Sequence, residues 1–246
     1  TTGVWDITQP ASTGIIQQVR EYNPDVVYHL AAISVRSSCG ETTPSDTALQ
    51  VNVEGTRHVA NCCTQLPNVP RLVFTSSVYV YGSSFEQLTC VKEADPVAPD
   101  NGYGISKLMA EEVLEQFQPE LPYIIARSFQ HTGPGQTGSL LIPEWIDKLH
   151  TEASPLEVYN LNTWIDYSDA RDVAQAYRIL ALEGTPGELF NVGSGQAIRS
   201  GEIFNKLQSL LNTSKSAIES NPGESYLPIA DITKIKSETS WRPQRL

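Results

Sequence analysis

Short apolar, β-branched runs alternate with helical stretches through the first half of the chain. Val26-Val27-Tyr28-His29-Leu30, Leu72-Val73-Phe74 and Tyr123-Ile124-Ile125-Ala126 are continuously apolar rather than alternating. That is the pattern of strands covered on both faces of a parallel sheet. Between them the apolar positions recur at helical spacing. Ser12 is placed to cap a helix that carries Ile15, Ile16, Val19 and Tyr22 on one face and ends at Pro24. A second helix carries Val51, Thr56, Val59, Cys63 and Leu66. A third, Gly104 to Phe117, turns Ile105, Leu108, Met109, Val113 and Leu114 inward. Strict alternation of strand and helix predicts βαβ units and an α/β, doubly wound parallel sheet.

After Arg127 the rhythm loosens. Gly133-Pro134-Gly135 and Gly138 make a turn-rich stretch, followed by helices near 143–149, 172–182 and 203–211 and a short strand at Phe190-Asn191-Val192-Gly193. The reading is a sheet domain over 1–127 and a smaller lobe over 128–246, with 157–193 returning to the sheet.

Composition narrows the class. The 246 residues are 40% apolar, and charged residues reach 18%, below the roughly 25% of an average soluble domain, so a disordered acidic chain is excluded. Seventeen basic against 28 acidic residues leave a net charge of −11, which argues against nucleic-acid partners that bind through phosphate neutralisation. No run of about 18 apolar residues predicts a membrane span. Cys39, Cys62, Cys63 and Cys90 contain no Cys-x-x-Cys pair, so reduced thiols, no metal and a cytoplasmic location are expected.

The sharpest chemical signal is Tyr103-Gly104-Ile105-Ser106-Lys107 at a helix start. Residues four apart share a helical face, so the ammonium can approach the phenol and lower its pKa from about 10 toward the working range. An ordinary surface pair fits the motif equally well. Upstream, Thr75-Ser76-Ser77 ends a strand, where ligands of open α/β sheets bind, and a simple Ser/Thr turn fits as well. Leu30-Ala31-Ala32 ends another strand with small residues that let a flat ligand lie near the backbone, or that simply pack in a core.

Taken in order, His29-Leu30-Ala31-Ala32, Asn52-Val53-Glu54-Gly55-Thr56, Thr75-Ser76-Ser77 with Tyr81-Gly82, and Tyr103 with Lys107 resemble the extended short-chain dehydrogenase/reductase family of nucleotide-sugar epimerases, dehydratases and reductases. The resemblance implies a Rossmann-like fold with a nucleotide-sugar lobe and an NAD or NADP cofactor. Carried over, Ser77, Tyr103 and Lys107 are the catalytic set, with Tyr103 as acid/base and Lys107 as its partner. Asp6 and Ile7 match the strand end near the adenine, and Leu30, Ala31 and Ala32 the pyrophosphate side. Asn52, Thr75 and Ser76 complete the cofactor positions. Family members commonly pair the helix after Tyr-x-x-x-Lys with the one after Asn-x-x-Gly-Thr, implying a homodimer.

The branch is indicated by Arg127-Ser128-Phe129-Gln130-His131-Thr132-Gly133-Pro134-Gly135-Gln136. It is similar to the Arg-Pro-Phe-Asn-His-Thr-Gly-Pro-Gly-Gln segment of GDP-4-keto-6-deoxy-mannose reductases and their GDP-mannose 4,6-dehydratase relatives. Ser128 and Phe129 would approach the nicotinamide; Gln130 and His131 would face the sugar. Asp166-Tyr167 with Arg171-Asp172-Val173 resembles the family's segment near the nucleotide phosphates. A dehydratase moves protons at C5 and C6 after oxidising C4 and carries an acid directly after the catalytic hydroxyl residue. Here Val78 and Tyr79 follow Ser77, which favours a ketone reductase or a 4-epimerase. Gln130 stands for Asn, Ser128 for Pro and Ile165 for Arg; the last removes a cation that would grip the diphosphate, for which Arg199 or Arg171 are candidate replacements.

The family's Gly-x-x-Gly-x-x-Gly loop does not occur in the sequence. With Asp6 read as the end of the family's third strand, its first strand, first helix and second strand are expected to be missing. A catalytically impaired binding or regulatory subunit is the competing expectation from another class.

Overall fold

The computed structural model describes residues 4–83, 85–137, 140–151 and 154–245. Its elements are α1 (Thr13–Tyr22), β1 (Val26–His29), α2 (Arg36–Cys39), α3 (Asp46–Ala48), a π-helical segment (Leu49–Glu54), α4 (Gly55–Thr64), β2 (Arg71–Ser77), a 3₁₀ turn (Val78–Tyr81), β3 (Cys90–Val91), α5 (Gly102–Glu115) and β4 (Tyr123–Ser128). There follow β5 (Gln130–Thr132), α6 (Leu141–Thr151), β6 (Leu156–Val158), β7 (Thr163–Asp169), α7 (Ala170–Glu183), β8 (Leu189–Val192), β9 (Ala197–Arg199), α8 (Ser200–Leu210), β10 (Ala217–Glu219), β11 (Ser225–Tyr226), β12 (Ile229–Ala230) and α9 (Thr233–Glu238).

A four-stranded sheet runs in the order β1-β2-β4-β8, every pair parallel. Alternate side chains of β4 serve opposite faces. Tyr123 and Ile125 join Leu72 and Phe74 against Val59, Cys63, Ala110 and Leu114 of α4 and α5. Ile124 and Ala126 join Phe190 and Val192 against Val173, Ala176 and Leu180 of α7, with Ile235 and Trp241. Helices on both faces make the sheet doubly wound, as expected.

A second layer is organised on β7, which pairs with β5 and β11 in parallel and with β9 antiparallel. Its own core sets Trp145 of α6 edge-on to Phe204 of α8, ring centroids 5.3 Å apart. The stretch 157–193 therefore divides. Strand β8 and helix α7 join the parallel sheet, whereas β6 pairs with β10 and β7 with the lobe strands.

Three sequence expectations change. Strand β1 lies at the sheet edge among the described residues, so Tyr28 is 42% exposed and Leu30 beyond it 58%. Residues 4–6 join no ladder: a turn returns Gln9 N to Asp6 O, while Trp5 and Ile7 pack on the core beside α4. In α5, Val113 and Leu114 are buried, but Ile105, Leu108 and Met109 are only half-buried. Its inward face is polar at Ser106, Lys107 and Glu111, because each meets a partner there: Asn52 of the π-helical segment, Thr75 of β2 and Arg127 of β4. Gly138 lies outside the described residues.

Candidate functional site

The site begins where β2 and β4 end side by side, with Ser77 in register with Ser128. The Ser77 hydroxyl accepts from Tyr79 N at 3.3 Å and so starts the 3₁₀ turn. Two glycines let helix α5 sit flush, Gly104 against that turn and Gly102 against the end of α2. A Cβ at Gly104 would lie 2.4 Å from Tyr79 O, and one at Gly102 2.2 Å from Cys39 O, distances only glycine permits. Asn101 caps the helix, its side chain accepting from Gly104 N at 3.0 Å. Tyr103 is thereby carried to Ser77.

Burial pushes the Tyr103 phenol above its ordinary pKa, and a hydrogen bond with Ser77 pulls it back. The other groups that bear on it are Cys39, Tyr177 and Tyr79. The Tyr79 ring stands edge-on to Tyr103, centroids 6.0 Å apart, with the Arg36 guanidinium 5.1 Å above it. Tyr79 also helps raise Tyr167, whose phenol burial pushes up to about 12. Tyr79 therefore bears on two other phenols.

Lys107 does not lean on the phenol as the spacing alone suggested. Its ammonium donates to Thr75 O at 2.7 Å and lies 4.9 Å over the Phe74 ring. Burial draws its pKa down to about 8, opposed by the Glu111 carboxylate. His29 is held neutral: burial, then the Lys107 charge, lowers it to about 4, and its Nε2 pairs with Thr56 Oγ1 at 2.9 Å.

The cofactor positions fall into exposed and committed groups. Leu30 and Ala31 are exposed at the end of β1, and Asp6 is exposed, accepting from Thr8 N; Ile7 and Ala32 are half-buried. Asn52 is buried, with its amide spent on Ile33 N and O and on Ser106 Oγ, so it shapes the loop after β1. Thr75 Oγ1 donates to His29 O, and Ser76 donates to Glu111. The Ser128 hydroxyl pairs with Tyr177 at 2.6 Å, and Phe129 is buried beside Val78 and Tyr81. An exposed strand end of small residues beside an anchored ammonium and hydroxyls is a donor set that fits the ribose and nicotinamide end of a dinucleotide.

On the substrate side, Gln130 is in register with Tyr167. Its Nε2 and Oε1 are both buried with no hydrogen-bond partner, an expensive arrangement unless a ligand completes it. His131 is exposed and tied by Nδ1 to Phe129 O. A cleft of about 470 Å³ opens beyond, lined by Thr132, Tyr167, Ser194, Gln196 and Arg245 among others. Neither arginine offered in place of a cation at Ile165 is free. Arg199 stacks 4.8 Å over Trp164, 3.8 Å from Glu224, and Arg171 grips Asp169 at 2.9 and 2.6 Å. Arg245, held by Asp172 at 2.6 Å, is the arginine that lines the cleft, and sequence reasoning missed it. Tyr79, Tyr177 and Glu111 were missed too. Only Glu111 left a signal, a carboxylate one helical turn after Lys107.

A family model described as "NAD dependent epimerase/dehydratase family" matches residues 5–193. The chain is 27% identical to GDP-6-deoxy-D-mannose reductase of Pseudomonas aeruginosa over 98% of its own length and 81% of the relative's. It is 28% identical to a probable dTDP-glucose 4,6-dehydratase of Sinorhizobium fredii, over 91% and 69%. The solved structure of RMD from Pseudomonas aeruginosa, complexed with NADPH, superposes with a TM-score of 0.86 at 25% identity, covering 99% of this chain and 83% of that one.

Proposed function

The chain belongs to the NAD dependent epimerase/dehydratase family, and from that premise we propose that it is an NAD(P)-dependent reductase of a nucleotide-diphosphate 4-keto-6-deoxy sugar, similar to GDP-4-keto-6-deoxy-mannose. The observation that carries the reductase reading is the neighbourhood of Tyr103. Ser77 supports the phenol, Val78 and Tyr79 stand where a dehydratase places its acid, and the groups that bear most on the phenol include no carboxylate. A ketone reduction needs one proton donor, whereas dehydration needs groups for two further proton transfers.

In this reading Ser77 and Tyr103 hold the sugar C4 oxygen, and Tyr103 delivers the proton to it. Burial keeps the phenol protonated, as a proton donor must be. The dinucleotide, when bound, supplies the hydride. Lys107, Thr75 and the Leu30–Ala31 strand end hold its ribose and pyrophosphate side, while Ser128 and Phe129 wall the nicotinamide. Gln130, with its amide unspent, and Tyr167 orient the sugar, and Arg245 serves the diphosphate in place of a cation at 165. Ile105 and Met109, half-buried one turn apart on α5, support a homodimer through that helix. Among the described residues no helix is long and apolar enough to cross a membrane; we place the protein in the cytoplasm.

Purified protein mixed with NADPH and a GDP-4-keto-6-deoxy-hexose is expected to consume NADPH, and Tyr103→Phe to slow it about 10²–10⁴-fold. An intact, folded protein that leaves NADPH untouched overturns the reading. Interconversion of a nucleotide sugar without net cofactor turnover marks a 4-epimerase instead.

A further inference from the structure

We infer that Glu111 is the positioning residue for Lys107: its carboxylate, one turn along α5, locks the helix to the ends of β2 and β4 and provides the counter-charge for the buried ammonium. This rests on the reading of Lys107 as part of the catalytic set. Glu111 is buried and takes three donors: Arg127 Nε at 3.0 Å, Arg127 Nη2 at 2.7 Å, and the Ser76 hydroxyl. Ser76 and Arg127 are register partners, one residue before Ser77 and Ser128. The carboxylate therefore fixes how far α5 slides along the strand ends, and with it the height at which Tyr103 meets Ser77.

Glu111 lies one turn beyond Lys107 on the same face of α5, and both side chains are buried there. Lys107 interacts with Glu111 from α5, His29 from β1, Cys39 from α2, and the Thr75 carbonyl and Phe74 ring from β2. His29 is kept neutral by burial, and burial likewise holds the Cys39 thiol above its ordinary pKa. Of the groups that bear on Lys107, Glu111 is the anion, and it opposes the burial that leaves the ammonium at about 8. Arg127 stands behind the carboxylate, 4.8 Å over the Tyr81 ring, and shares its charge. Without Glu111 the ammonium would titrate lower still, and the site would lose its cation at a lower pH.

The test replaces Glu111 by Gln, which keeps the volume and one acceptor oxygen. The Lys107 ε-methylene is followed by ¹³C NMR across pH 6–11, assigned by its loss in Lys107→Arg. Its midpoint is expected to fall by about one unit, the low end for loss of a neighbouring opposite charge. The alkaline limb of NADPH oxidation should fall in parallel. A folded Glu111→Gln protein with an unmoved Lys107 midpoint overturns the inference. The NMR readout needs no substrate, so a shifted midpoint in a protein inactive on the keto-sugar rejects the substrate reading and leaves this one standing. Arg127→Gln frees the carboxylate of its partner and should move Lys107 the opposite way. If both variants fail to fold, Glu111 is a structural staple and the inference is rejected.

Discussion

His29 shows how the identity of one residue sets a pH limit for the whole chain. In the folded protein it is buried against Thr56 and Phe74 and titrates near 4, against an ordinary 6.5. Between those values the unfolded chain takes up a proton that the folded chain refuses, so stability falls as the pH drops through that window and is fully retained above it. The full shift corresponds to about 3 kcal/mol. Urea midpoints measured from pH 7 to pH 4.5 should fall for the wild type and flatten in His29→Gln. An equal slope in both would remove His29 as the cause. Sequence reasoning reached this residue as part of a strand end but had no means to see its neutrality, which comes first from burial against the sheet and then from Lys107, 78 positions away in the chain.

At the scale of elements, the contact that matters most is between α5 and the turn after β2. Gly104→Ala puts a methyl into Tyr79 O, and the obstacle is backbone, which cannot rotate away. The helix start must lift, at a cost of about 1–3 kcal/mol. Displacement of Tyr103 from Ser77 by a fraction of an ångström to an ångström should lower kcat by about 10–100-fold, with KM much less affected. Steady-state kinetics and thermal melting of this variant check both.

Strands β2 and β4 and helices α5 and α7 were legible because continuous apolar runs and helical spacing follow directly from what they bury. The meeting of Ser77 and Tyr103 was legible from order and spacing. The polar face of α5 was not, since Ser106, Lys107 and Glu111 are inside only because Asn52, Thr75 and Arg127 meet them there. Nor was the edge position of β1: a run of apolar residues does not reveal how many strands flank it. The Ser128–Tyr177 contact, spanning 49 positions, exists only once β4 and α7 pack.

For the molecule as a whole, the sheet and the lobe meet at Asp166. From β7 its Oδ1 accepts Ser194 N at 2.7 Å and Ser194 Oγ at 2.6 Å, and its Oδ2 accepts Gly195 N and Ala230 N, both at 3.0 Å. Ser194 and Gly195 follow β8 of the parallel sheet, while Ala230 ends β12. Asp166→Asn turns one of the two acceptors into a donor facing donors, at a cost of about 2–4 kcal/mol; urea denaturation at neutral pH measures it. Gly193 explains why the carboxylate reaches so far, for a Cβ there would lie 2.8 Å from Asp166 Oδ2 and 2.7 Å from the Ala230 methyl. Mechanically, this carboxylate is a rivet. It draws the loops after β8 and β12 onto β7, so the spacing of Ser194 and Tyr167 along the cleft is fixed by the side chain next to Tyr167.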